Sequence, residues 1–188
     1  MKSTAPLIRR LFLLIFSAGI AFHSLAADPK KPMSTSEEPP AQPEKKVTKS
    51  DADWKKELTP EQYRVARQSG TEMPNGEVYQ QFKKQGSGTY YCVACNAKLF
   101  SSKEKFDARC GWPSFYDPAN AKNVKTLMDP DGMRLEVRCN VCDAHLGHVF
   151  SGEGFNTPTD KRYCINGIVL KFVPDRATDE KPDSKTKK

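Results

Sequence analysis

Six cysteines carry most of the chemistry open to this sequence. Four of them form two Cys-x-x-Cys pairs, Cys92-Val-Ala-Cys95 and Cys139-Asn-Val-Cys142. Four thiolates in a tetrahedral array are what a closed structural zinc site needs. Asn96 and Asp143 follow the two pairs and suit the turns that let both sulfurs of a pair face one ion. A lone Cys-x-x-Cys is ambiguous, because it also serves as a redox pair. Two of them in one small domain point to one zinc, with two redox disulfides or a cross-linked framework as the alternatives. A bound zinc contributes on the order of 10–16 kcal/mol to a small fold, against roughly 2–4 kcal/mol for one disulfide. Four sulfurs also fill the coordination sphere, so this metal is expected to stabilise the fold and leave the chemistry to other groups.

Cys110 and Cys164 remain. Cys164 lies in Arg162-Tyr163-Cys164-Ile165-Asn166, a segment of strand character. Alternation places Arg162, Cys164 and Asn166 on one face and turns Tyr163 and Ile165 into the core. A guanidinium on its own face is expected to lower the pKa of the thiol and raise its thiolate fraction; the alternative is a packed small hydrophobe. Cys110 opens Cys110-Gly-Trp-Pro-Ser-Phe115, whose Gly and Pro make a loop of fixed shape. Trp112 and Phe115 either plug that loop into the core or build an aromatic pocket beside a displayed thiol. His145 and His148 can deliver a proton to a leaving oxygen near neutral pH. The alternative for them is a metal pair, yet a four-thiolate site has no vacancy and no spare carboxylate cluster is evident nearby.

The elements that must hold these residues follow from the rest of the pattern. Thr59 caps a helix, with Pro60 at its first position, Gln62 completing a capping box, and Ser69-Gly70 ending it. Trp54 belongs to a short helix before it. Beyond Tyr90, short aromatic and β-branched runs alternate with Gly, Pro, Asn and Asp turns, at 88–91, 134–138, 148–150, 162–165 and 168–172. This predicts a small antiparallel β domain behind an N-terminal helix, spanning residues 51–174. Residues 1–26 read as a secretory signal. Lys2, Arg9 and Arg10 precede the apolar run that starts at Leu11 and ends at Phe22, and Ser24, Ala26 and Ala27 supply small residues for cleavage. The run is too short for a membrane span of roughly twenty residues. An exported protein is therefore expected, periplasmic or secreted, with no stable span after cleavage. Residues 27–50 are Pro-, Lys- and Glu-rich and read as a disordered linker, and 175–188 as a disordered basic tail. The net charge of +7 across 188 residues is weighted to the two termini, not gathered on one face, which argues against a nucleic-acid groove.

Taken together, Cys92-x-x-Cys95, Cys110-Gly-Trp-Pro-Ser-Phe115, Cys139-x-x-Cys-Asp-Ala-His-Leu-Gly-His-Val-Phe150 and Arg162-Tyr-Cys-Ile-Asn166 resemble the B-type methionine sulfoxide reductases. Leu58-Thr-Pro-Glu-Gln62 is similar to the start of that family's domain. The resemblance implies a mainly β fold, in which two antiparallel sheets form a small barrel-like domain with short N-terminal helices and one structural zinc. It implies Cys164 as nucleophile and Cys110 as resolving thiol. Trp112 lines the pocket for the substrate methyl group, and Phe115 and Phe150 are expected to add to that wall. His145, His148 and Asn166 surround the sulfoxide, with Arg162 beside the thiol. The substrate class it implies is oxidised protein carrying methionine-(R)-sulfoxide, the reductant is a thioredoxin-like dithiol, and a monomer is expected. The competing reading is a non-catalytic zinc β module that binds a partner protein and needs neither Cys110 nor Cys164. Two departures stand out. Ala108-Arg109 replace the family's usual Ser-Gly before the resolving cysteine, so Arg109 is expected to ease Cys110 deprotonation. Thr71-Glu-Met-Pro-Asn-Gly76 differs from the usual run there, and is expected to touch only edge contacts.

Overall fold

The computed structural model describes residues 45–175. The expected signal, most of the linker and nearly all of the tail lie outside the described residues. Helix α1 (Asp51–Glu57) carries the buried Trp54, and α2 (Pro60–Gln68) follows at once. The capping box is complete: the Gln62 N–H donates to Thr59 Oγ1 at 3.2 Å, and the Thr59 N–H donates to Gln62 Oε1 at 3.1 Å. Ser69 ends α2 in the left-handed conformation, with φ 52°. A third helix, α3 (Glu77–Lys84), has no side-chain cap at Gly76 and buries Tyr79 and Phe82.

Eight strands follow: β1 (Gly88–Cys92), β2 (Lys98–Ser101), β3 (Ser114–Phe115), β4 (Val124–Met128), β5 (Leu135–Cys139), β6 (His145–Ser151), β7 (Lys161–Ile165) and β8 (Leu170–Pro174). They form two antiparallel sheets, one ordered β2-β1-β8 and the other β3-β7-β6-β5-β4. The mainly β fold with short N-terminal helices expected above is the fold observed. The rings of Phe82, Tyr90, Phe100 and Phe115 meet between α3, β1, β2 and β3, with Phe100 and Phe115 stacked at 4.5 Å. Fully burying each such side chain contributes roughly 1.5–3 kcal/mol.

The second sheet positions the chemistry by register. Cys164 on β7 lies opposite His148 on β6 and opposite Ser114 on β3. The strand alternation holds, with Tyr163 and Ile165 buried and Cys164 partly open. Gly147 makes this approach possible. At φ 155°, a Cβ there would stand 2.1 Å from the Cys164 carbonyl oxygen. Gly147→Ala is therefore expected to push β7 off β6 and cost about 2–3 kcal/mol. Urea unfolding should show the loss as a lower midpoint at unchanged slope, and an unmoved midpoint would refute the close packing.

Residues 46 and 47, within the expected linker, contact the β domain. The Val47 N–H donates to the Val141 carbonyl at 2.9 Å, and Lys46 Nζ donates to Asn140 Oδ1 at 2.8 Å. The last linker residues thus strap the second cysteine pair, a contact that their polar composition does not announce. Among the described residues, no helix is long and apolar enough to cross a membrane.

Candidate active site

Two clusters of sulfur are separate in the fold. Cys92, Cys95, Cys139 and Cys142 bring their Sγ atoms within 4.8 Å of one another. Two approaches cross between the sheets, Cys92 to Cys142 at 3.7 Å and Cys95 to Cys139 at 3.6 Å. A tetrahedral ion with Zn–S bonds of about 2.3 Å has edges of about 3.8 Å, so the four residues fit one metal ion. Both turns are built alike. Asn96 and Asp143 take φ of 59° and 62°, and their N–H groups return to the Cys92 and Cys139 carbonyls, both at 2.9 Å. That conformation suits Asn and Asp better than other side chains. Arg67 on α2 donates to the Cys142 carbonyl at 2.7 Å and secures the cluster from the helical side.

Cys164 and Cys110 sit elsewhere, with their sulfurs 3.9 Å apart. The Ile165 N–H donates to the Pro113 carbonyl at 2.9 Å, which docks the Cys110 loop on β7. Closing a disulfide bond of about 2.05 Å needs a shift of the loop by roughly 2 Å. Arg109 and Gly111 flank Cys110 with φ of 54° and 91°. The left-handed position before Cys110 is held by an arginine side chain, at a cost of about 1–2 kcal/mol.

The electrostatics differ from the expectation for Cys164. Its thiol is pushed up, first by the neighbouring Cys110 sulfur and then by burial, and the downward pull of Arg162 is outweighed. Cys110 is pulled down to about 5, chiefly by the hydrogen bond from Cys164 and further by the Ser114 hydroxyl and Arg162. Cys110 is therefore the more acidic thiol of the pair. Arg162 is also less free than expected, because Glu153 holds it through two hydrogen bonds of 2.8 and 2.7 Å. Its guanidinium lies 4.4 Å above the Phe150 ring.

A cleft of about 140 Å3 opens over Cys164, lined by Thr71, Trp112, Arg134, Gly147, His148, Phe150 and Asn166. Trp112, Phe150, His148 and Asn166 therefore stand where expected. Phe115 does not: its ring is wholly buried against Phe100 and Phe82, so it belongs to the core and not to the substrate wall. Both readings of the Cys110 loop are realised, Phe115 as plug and Trp112 as pocket. His145 is also absent from the wall. It is buried behind the cleft, its Nδ1 is 2.5 Å from Glu136 Oε1, and its Nε2 has no partner. Burial pushes its pKa down, against the pull of Glu136.

The carboxylates judged missing from the sequence are present in space. Glu136 on β5 binds His145 and accepts from Arg138 Nε at 2.8 Å. Asp129 Oδ2 is 2.9 Å from His148 Nε2. Cross-strand register brings them in, and no linear motif marks it. The segment 71–76 likewise does more than touch an edge. Glu72 accepts from Trp112 Nε1 through its carbonyl at 3.1 Å, donates its N–H to Asn166 Oδ1 at 2.9 Å, and receives the Gly167 and Ile168 N–H groups on its carboxylate. It thus ties the pocket indole to the amide that follows β7. Asn75 donates to the Gly111 carbonyl at 2.9 Å, which anchors the same segment to the thiol loop.

The comparisons with known proteins agree with this geometry. The SelR domain matches residues 58–174. Peptide methionine sulfoxide reductase B3 of Arabidopsis thaliana is 51% identical over 128 residues, covering 68% of this chain and 71% of that protein. Peptide methionine sulfoxide reductase MsrB of Leifsonia xyli is 51% identical over 135 residues, covering 70% and 94%. Peptide methionine sulfoxide reductase B5 of Oryza sativa is 47% identical over 126 residues, covering 67% and 90%. With Cys164 at an indole-lined cleft, Cys110 beside it and a separate four-cysteine cluster, the chain belongs to the SelR family of peptide methionine sulfoxide reductases B and is an oxidoreductase acting on methionine sulfoxide.

Proposed function

We propose that the chain reduces methionine-(R)-sulfoxide in proteins, with Cys164 as nucleophile, Cys110 as resolving thiol and an external thioredoxin-like dithiol as reductant. The observation that carries this reading is the Cys164 sulfur, open to the Trp112 cleft and 3.9 Å from the Cys110 sulfur. The indole and the Phe150 ring offer flat apolar walls to the methyl and methylene groups of the substrate. His148 and Asn166 supply polar groups on the same wall. The Cys164 proton has a ready acceptor in the Cys110 thiolate, so binding of substrate can be followed by transfer of that proton and attack of the Cys164 sulfur on the sulfoxide. Oxygen passes from the substrate sulfur to Cys164 with one proton from an acid, and methionine leaves. The Cys164 sulfenic acid then condenses with Cys110, forming the disulfide and releasing water. The external dithiol returns the pair to thiols by exchange.

The four-cysteine cluster would hold one zinc, whose role is structural because four thiolates leave no open position. We further propose that the protein is exported to a periplasmic or extracellular compartment, on the strength of the charged and apolar run at residues 2–22. A non-catalytic binding module would leave the paired thiols and their cleft without a purpose.

The reading is tested with a methionine-sulfoxide peptide supplied as separated epimers, with dithiothreitol as reductant and the thioether product quantified by chromatography. Turnover is expected from the (R) form, the epimer that the family resemblance implies, with the (S) form lower by at least about 100-fold. Equal turnover of both epimers refutes it.

A further inference from the structure

Asp129 stands just beyond the end of β4, at the start of the turn that leads to β5. It is fixed from several sides. Its backbone N–H donates to the Arg134 carbonyl, and its own carbonyl accepts from Gly132, both at 2.8 Å. Its carboxylate is 10% exposed, and the Arg134 guanidinium lies 2.8 Å from Oδ2. The same oxygen is 2.9 Å from His148 Nε2. His148 lines the cleft over Cys164 and lies opposite Cys164 in register. With Nε2 taken by a carboxylate, which can only accept, the remaining ring nitrogen is Nδ1. The other charged or titratable groups facing this ring are Arg134 from the turn, Glu136 opposite on β5, Cys164 opposite on β7, and His145 at a ring separation of 5.6 Å.

We propose that Asp129 is a positioning residue of this reductase: it fixes a proton on His148 Nε2, so that Nδ1 is the nitrogen that meets the sulfoxide oxygen. The proposal rests on the reading of His148 as the group that serves that oxygen. In the reacting state the ring carries both protons, and the Asp129 carboxylate balances its charge. Nδ1–H passes to the sulfoxide oxygen as that oxygen moves to the Cys164 sulfur. Thiolate, sulfoxide and imidazolium become sulfenic acid, thioether and neutral imidazole, and the ring returns to the Nε2–H form still held by Asp129. A carboxylate behind an imidazole sets which nitrogen carries the proton and how the ring is aimed. His145 cannot replace it, because that ring is off the cleft wall and is turned to Glu136 through Nδ1.

The test uses the full chain with its metal and compares wild type, Asp129→Ala, Asp129→Asn and His148→Gln. Steady-state assays on an (R)-sulfoxide peptide and nitrogen NMR of the imidazole ring are read together. Asp129→Ala is expected to lower kcat by about 10- to 100-fold with KM within about threefold, and to convert a defined Nε2–H tautomer into a mixture. Asp129→Asn keeps an acceptor for Nε2–H without the charge. It is expected to retain the tautomer and lose about 3- to 10-fold in kcat, and it decides the matter if the alanine variant fails to fold. Wild-type kcat in Asp129→Asn, or an Nδ1–H tautomer in the unmodified protein, overturns the proposal. Wild-type kcat in His148→Gln sinks the underlying reading instead, whatever the Asp129 variants do.

Discussion

Cys164→Ser is expected to abolish peptide methionine sulfoxide reduction while leaving the protein folded. The exchange replaces a sulfur nucleophile by a hydroxyl in a half-open site on β7, where the side chain already has room and polar neighbours. Loss of the nucleophile should lower turnover by at least about 10^3-fold, corresponding to roughly 4 kcal/mol or more of barrier. Stability should change by less than about 1 kcal/mol, because no cavity and no unpaired charge is created. Product formation under dithiothreitol and thermal unfolding measure the two effects side by side. Cys110→Ser separates the roles of the pair. It should still reduce one equivalent without added reductant and leave a sulfenic acid that a dimedone-type reagent captures. It should also move the alkylation profile of Cys164. The hydrogen bond with the Cys110 sulfur is the largest factor holding the Cys164 thiol up, so removing that sulfur lowers the pKa, and half-maximal iodoacetamide reaction should shift to lower pH. Turnover that survives Cys164→Ser would instead assign attack to Cys110, the more acidic thiol of the pair.

What the sequence disclosed follows from how local each signal is. The α2 capping box needs four consecutive residues and is found as read. The two metal turns each need six, and Asn96 and Asp143 announce their left-handed backbone by type. The alternation around Cys164 likewise depends on one strand alone. Strand β4 was missed because it is a mostly exposed edge, with no apolar alternation to mark it. The partners of the histidines were missed for a different reason. Glu136 and Asp129 lie 9 and 19 residues from the rings they hold, and only the register of β4, β5 and β6 brings them close. Phe115 shows the limit of motif reading. It sits three residues from Trp112 in one short run, yet β3 turns its ring into the core while the indole faces the cleft. Glu72 shows the same limit from the other direction, since nothing in its neighbours predicts that both its backbone groups will brace the pocket.

Stripping the metal from the four-cysteine cluster is expected to unfold the domain. Cys92 and Cys95 belong to the end of β1 and its turn, in the three-stranded sheet; Cys139 and Cys142 belong to the end of β5 and its turn, in the five-stranded sheet. Two sulfur contacts, of 3.7 and 3.6 Å, cross between them, so one bound ion would join the two sheets. The cluster also anchors the Lys46–Val47 strap through Asn140 and Val141, and α2 through Arg67. A four-thiolate zinc site contributes on the order of 10–16 kcal/mol, whereas a whole domain of this size is stable by about 5–15 kcal/mol. The ion is thus worth as much as the net stability, and its loss leaves four thiols crowded within 4.8 Å. Treatment with a mercurial and a chelator should release one equivalent of metal and abolish the cooperative thermal transition, and Cys139→Ser should do the same without treatment. Activity should fall with the fold, since β6 and β7, which carry His148 and Cys164, lie in the sheet that β5 ties to the ion. Cys164→Ser, by contrast, should keep its full metal content. A metal-free protein that still melts cooperatively within a few degrees of the loaded one would show that the aromatic core alone holds the sheets together.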